Sequence, residues 1–173
     1  MAETQTLLQR VAEQARRDPG RIRPVLQALL GDQPETTKAL RQVATDLNES
    51  RRRAALEDFM AGSLTTEQAM KLLPGVTTRQ GVHRLRDRGK LVARTIGNAS
   101  WFPRWQFGEH GLRGDLHQIL AAIHRSTEDA VAADRIMRLP RQELRGRSLS
   151  EALESPRQRA RAWQLLLSIG HGG

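Results

Sequence analysis

The sequence predicts a mainly α-helical protein organised around residues 63–107, which read as helix, turn, helix and β-hairpin. Two observations carry this. Apolar residues recur at about 3.6-residue spacing through most of the 173 positions. Between them, residues 91–96 suit a strand, Gly97-Asn98 a tight turn and Ser100-Trp101-Phe102 a return strand.

Taken in order, residues 4–17 carry Leu7, Leu8, Val11, Ala12 and Ala15 on one face, stopped by Asp18-Pro19-Gly20. Ile22, Val25, Leu26, Leu29 and Leu30 mark a second short helix, closed by Gly31. Asp32 then resembles an N-cap, with Pro34 and Glu35 in the first turn of a third helix running to about residue 60. The middle of that helix, residues 48–53, is fully polar and reads as either a continuous solvated helix or a hinge; the continuous helix is preferred. Leu40, Val43 and Leu47 then form a seam for a partner helix. Residues 1–62 are expected to be a dimerisation or partner-binding segment.

In residues 63–107, Thr65 and Gln68 have capping-box spacing. Ala69, Leu72 and Leu73 form the buried face of the first helix, and Pro74-Gly75 ends it. The second helix, around residues 78–88, begins at either Thr77 or Thr78. Val82 and Leu85 point inward, while Arg79, Gln80, His83, Arg84 and residues 86–88 point outward. Gly89 is the expected left-handed residue past the helix end, and Pro103 ends the hairpin of residues 91–103. This is the outline of a winged helix-turn-helix. Four of the six aromatic residues, Trp101, Phe102, Trp105 and Phe107, lie within seven positions, where they suit a core plug between hairpin and helices.

Residues 108–173 read as an all-helical unit after a glycine-rich connection from Gly108 to Gly114. Asp115 can cap a helix bearing Leu116, Ile119, Leu120 and Ile123. Another starts at Ser126-Thr127-Glu128-Asp129 and ends at Pro140. A short helix covers residues 149–153. Pro156 opens the last helix, with Ala160, Trp163, Leu166, Leu167 and Ile169 apolar and Gly170 closing it.

Charge points to the partner. Lys and Arg number 28 against 19 acids, a net +9, and only Lys38, Lys71 and Lys90 are lysines. Between Pro74 and Trp105 seven basic residues face Asp87 alone, a net +6. Such a balance suits a polyanion. The planar guanidinium fork suits phosphate and guanine. Arg79, Gln80 and Arg84 are placed to read base edges in a major groove, and His83 is a further candidate. Thr78, Arg88, Lys90, Arg94 and Asn98 are placed to hold phosphate or the minor groove, with Ser100 a further hydroxyl for phosphate.

Other chemistries find no support. There is no cysteine, which excludes disulfides and thiolate metal sites. His110, His117 and His124 are seven apart, about 10 Å per step along a helix. That is too far for one metal ion. Residues 108–114 lack phosphate-loop spacing. No catalysis, cofactor, metal or membrane span is expected, and the location is expected to be cytoplasmic and nucleoid-associated.

Two resemblances add to this reading. Gly75-Val76, Arg79-Gln80, Val82, Leu85 and Gly89-Lys90-Leu91, followed by Phe102-Pro103-Arg104-Trp105-Gln106-Phe107, resemble the MerR/excisionase-type winged helix-turn-helix of actinobacterial style. That family implies DNA binding without catalysis. Thr77-Thr78 lengthens the turn by one residue against the pattern, and Gly81 stands where a bulkier residue is usual. Residues 145–153, with 166–172, resemble the C-terminal unit of Xre/MbcA/ParS-type antitoxins, which neutralise RES-domain toxins. Leu149 stands where that pattern has proline.

The expected fold is therefore mainly α, a winged helix-turn-helix with one β-hairpin wing, flanked by N-terminal helices and a C-terminal helical unit. The expected function is a sequence-specific transcriptional regulator on double-stranded DNA, acting as a homodimer. The alternatives are an antitoxin that represses its operon and masks a cognate toxin through the C-terminal unit, and a nucleoid-architectural or plasmid-partition protein.

Overall fold

In the computed structural model, which describes residues 34–169, the polar run at 48–53 stays helical: α1 extends unbroken through Pro34–Ala61. The expected helices over 4–17 and 22–30, the Asp32 cap and Gly170 lie outside the described residues. Val43 is exposed and Leu47 half-buried. Contacts divide the chain between Arg51 and Arg52. In the unit after that boundary, Phe59 near the end of α1 is fully buried.

Seven α-helices and five short strands form among the described residues. β1 (Ser63–Thr65) leads into α2 (Thr66–Leu72), followed by α3 (Arg79–Asp87), β2 (Arg94–Ile96) and β3 (Ala99–Pro103). The three strands make an antiparallel sheet in the order β1-β3-β2, pairing Leu64 with Phe102 and Thr95 with Ser100. β1 was not anticipated. It is three residues long and its partner lies nearly forty residues on, so no local pattern marks it.

The expected strand over 91–96 is shorter than predicted. Leu91 and Val92 are buried outside the sheet, and the Gln106 side chain takes the place of a strand partner. Val92 N–H donates to Gln106 Oε1 at 2.7 Å, and Gln106 Nε2 donates to the carbonyls of Val92 at 2.9 Å and Pro103 at 3.2 Å. Gln106 itself is fully buried. Gly97 takes φ 59 at the first position of the two-residue turn, as a type II′ hairpin requires.

The glycine-rich connection holds a second small ladder, β4 (Phe107–Gly108) with β5 (Gly111–Leu112). A Cβ on Gly111, at φ 127, would lie 3.1 Å from Pro74 Cδ, so glycine lets this ladder pack against the end of α2. Beyond it run α4 (Leu116–Ile123), α5 (Ala130–Arg138), α6 (Leu149–Glu154) and α7 (Arg159–Ser168).

Asp115 does not cap α4 with its side chain. Its carboxylate turns to Arg113 at 2.9 Å and Arg159 at 3.3 Å. The last helix starts at Arg159 and not at Pro156, because residues 155–158 close a turn in which Gln158 and Arg159 N–H donate to the Ser155 carbonyl. α7 buries Ala162 and Leu166 and leaves Leu167 exposed.

One buried apolar cluster takes side chains from both the 63–107 segment and the helices after it. Phe102, Val82, Ile119, Met137, Leu149 and Leu166 are all fully buried. Each such large side chain contributes about 1.5–3 kcal/mol. Trp105 and Phe107 belong to this core, as their clustering in sequence anticipates.

Candidate nucleic-acid interface

The site is built on α3, and its start is set by a hydroxyl. Thr78, in extended conformation, accepts the Gly81 N–H at 3.1 Å, so Thr78 and not Thr77 is the N-cap. The lengthened turn and Gly81 go together: a Cβ on Gly81 would lie 2.8 Å from Val76 Cγ1. At the other end Gly89 is left-handed at φ 68. Its N–H donates to Arg86 O and that of Lys90 to Leu85 O, a Schellman closure. Both helix ends are thus fixed by local chemistry, which fixes the face that α3 presents.

Val82 is fully buried and Leu85 half-buried, as expected. Opposite them Gln80, Arg84 and Arg88 are exposed and four residues apart, on one face of the helix. Lys90 just beyond, Asn98 at the hairpin tip and Arg104 after β3 are also exposed. Among the described residues Arg84, Arg88, Lys90 and Arg104 have no acidic partner.

Other expected contacts are placed differently. Arg79 is exposed but pairs with Glu67 of α2 at 2.6 Å. The Glu67 backbone N–H, with Arg79 beside it, holds that carboxyl below the usual carboxylate value. Arg94 is not a free backbone contact, because its guanidinium pairs with Asp129. Asp129 also caps α5 by accepting the Ala132 N–H, so Arg94 links the hairpin to the following helices. His83 is half-buried, its ring 6.4 Å from that of Phe102, with Nδ1 buried and unpartnered. It packs against the hairpin and does not project freely. Ser100 is buried, its hydroxyl 3.4 Å from that of Thr95. Thr78 keeps an exposed hydroxyl, though its oxygen already accepts the cap bond.

Arg104 was not among the expected contacts. The charge count includes it, but only the fold shows it exposed and unpaired. Glu67 left no signal, since its link to Arg79 spans two helices. His110, His117 and His124 are exposed, and among the described residues no three metal-ligating side chains cluster. No described helix is long and apolar enough to cross a membrane. Comparison of the chain with protein-family profiles, with characterised proteins and with solved structures gives no match.

Proposed function

We propose that residues 63–107 form a winged helix-turn-helix and that the protein is a sequence-specific, dimeric DNA-binding regulator. α3 enters the major groove and the hairpin serves as the wing. The observation that carries this reading is the exposed face of α3: Gln80, Arg84 and Arg88 at four-residue spacing, with both helix ends locked and no acidic partner among the described residues for either arginine. Gln80 and Arg84 are the base readers, each worth about 1–3 kcal/mol of discrimination. Arg88, Lys90, Arg104 and Asn98 neutralise or bond the phosphate backbone. Arg79 reaches a base only by leaving Glu67, an exposed pair worth under about 1 kcal/mol.

The test is a gel shift on a duplex from the promoter of the protein's own gene. Arg84→Ala should weaken binding and relax base preference. An unchanged shift refutes the assignment.

In the segment that resembles an antitoxin, Ser148 and Glu151 form a capping box, and Leu149 and Leu153 are core. Those residues serve the fold, so the regulator reading is preferred to toxin masking.

A further inference from the structure

We propose that a cavity between the Arg145 turn and the start of α7 binds closely spaced phosphate groups, as in a di- or triphosphate of nucleotide size. The cavity has a volume of about 660 Å³ and is lined by Arg145, Arg147, Arg157 and Arg161. Ligand sites typically span about 300–1,000 Å³. Glu143 is the one acidic residue on the wall, so the lining holds four arginines and a single carboxylate. None of the four arginines has an acidic partner among the described residues. A net +3 matches the charge of a di- or triphosphate, and the guanidinium fork matches phosphate oxygens bidentately.

Two further observations favour a ligand over a merely solvated surface. Arg145 has φ 56 and ψ 43, and no other non-glycine described residue has positive φ. Glycine adopts that conformation at lower cost. An arginine held there is explained by what its side chain does. Also, α7 has no side-chain cap and no acid in its first turn. The positive end of its dipole therefore adds to the attraction for an anion.

The test is calorimetric titration of the full chain with sodium tripolyphosphate and, separately, with ATP at moderate salt. One site per chain is expected. Arg145→Gly and Arg161→Ala should each weaken binding about tenfold or more. Arg145→Gly relieves the left-handed backbone, so it should fold at least as stably as the parent, which separates lost binding from lost folding. Arg125→Ala, at an exposed arginine that does not line the cavity, should change binding less than about twofold. The proposal is overturned if neither probe binds saturably below about 1 mM, if Arg145→Gly binds like the parent, or if Arg125→Ala loses as much as the cavity variants. The same variants titrated with duplex DNA identify the source. A parallel loss assigns the phosphates to the DNA backbone; an unchanged duplex affinity assigns them to a free ligand.

Discussion

Arg94 of the hairpin donates to Asp129, and the other carboxylate oxygen of Asp129 caps α5. One carboxylate thus fastens a strand and starts a helix. The pair is about half exposed on both sides, so Arg94→Ala should cost only about 0.2–1 kcal/mol. Asp129→Ala loses the cap as well and should cost about 1–2 kcal/mol. Urea denaturation of both variants checks the order. For duplex binding, Arg94→Ala should weaken affinity less than Lys90→Ala, because Arg94 already has a partner.

Gln106 should be among the most sensitive single positions. Gln106→Leu keeps approximate volume but leaves Val92 N–H and two carbonyls unsatisfied in the core. The expected loss is about 2–4 kcal/mol in chemical denaturation. A loss below about 1 kcal/mol would show that the Leu91-Val92 segment does not depend on the clamp.

Gly81 and Val76 should be coupled. In a helix, Gly→Ala gains about 0.8–1 kcal/mol of propensity, but here the new methyl meets Val76 Cγ1 at 2.8 Å. Gly81→Ala alone should fail to stabilise, whereas in a Val76→Ala background it should stabilise by about 1 kcal/mol. A double-mutant cycle on thermal stability reads the coupling directly.

Two carboxylates should show opposite pH signatures. Burial pushes the Asp115 carboxyl up, but Arg113 and Arg159 more than offset it, and its value lies below the ordinary 3.8. A lowered acid stabilises the fold above its unfolded value and loses that contribution as pH falls through the folded one. The parent should therefore exceed Asp115→Asn in stability at neutral pH, with the gap closing in acid. Burial raises the Asp134 carboxyl, only partly offset by Arg138. Its contribution is highest in acid and declines as pH rises from its unfolded towards its folded value. Relative to the parent, Asp134→Asn should thus gain stability as pH rises through that window. Denaturation midpoints across pH 3–7 for both variants test the two signs (about that range suffices for carboxylates).

The sequence made legible whatever is written within one turn of chain. Thr65 with Gln68 and Gly89 after α3 carry local cap chemistry, and the structure places them as the pattern predicts; the Asp129 and Ser148 caps were not singled out. The apolar faces of α2, α3 and α4 were readable for the same reason. What escaped depends on partners distant in sequence. β1 exists because Ser63 pairs with Pro103. Residues 91–93 leave the strand because Gln106 claims Val92. Arg94 has a partner, Asp129, thirty-five positions on. The choice between Thr77 and Thr78 is settled by the Thr78 hydroxyl accepting the Gly81 N–H, which capping-box spacing alone does not decide.

Salt dependence should separate the two proposed classes of contact around α3. For the parent, log affinity for duplex should fall linearly with log salt, and Lys90→Ala should reduce the slope by about one while weakening all sequences alike. Arg84→Ala should instead reduce the ratio of specific to non-specific affinity. Fluorescence anisotropy on cognate and scrambled duplexes over a salt series gives both quantities.

The central claim, that the protein reads a particular DNA sequence through α3, is tested most directly by genome-wide DNA occupancy of the tagged protein beside its Arg84→Ala variant. The prediction is a small number of sharp peaks, one of them near the protein's own promoter, that collapse in the variant. Uniform coating of the genome, no enrichment at all, or peaks that survive Arg84→Ala would contradict it.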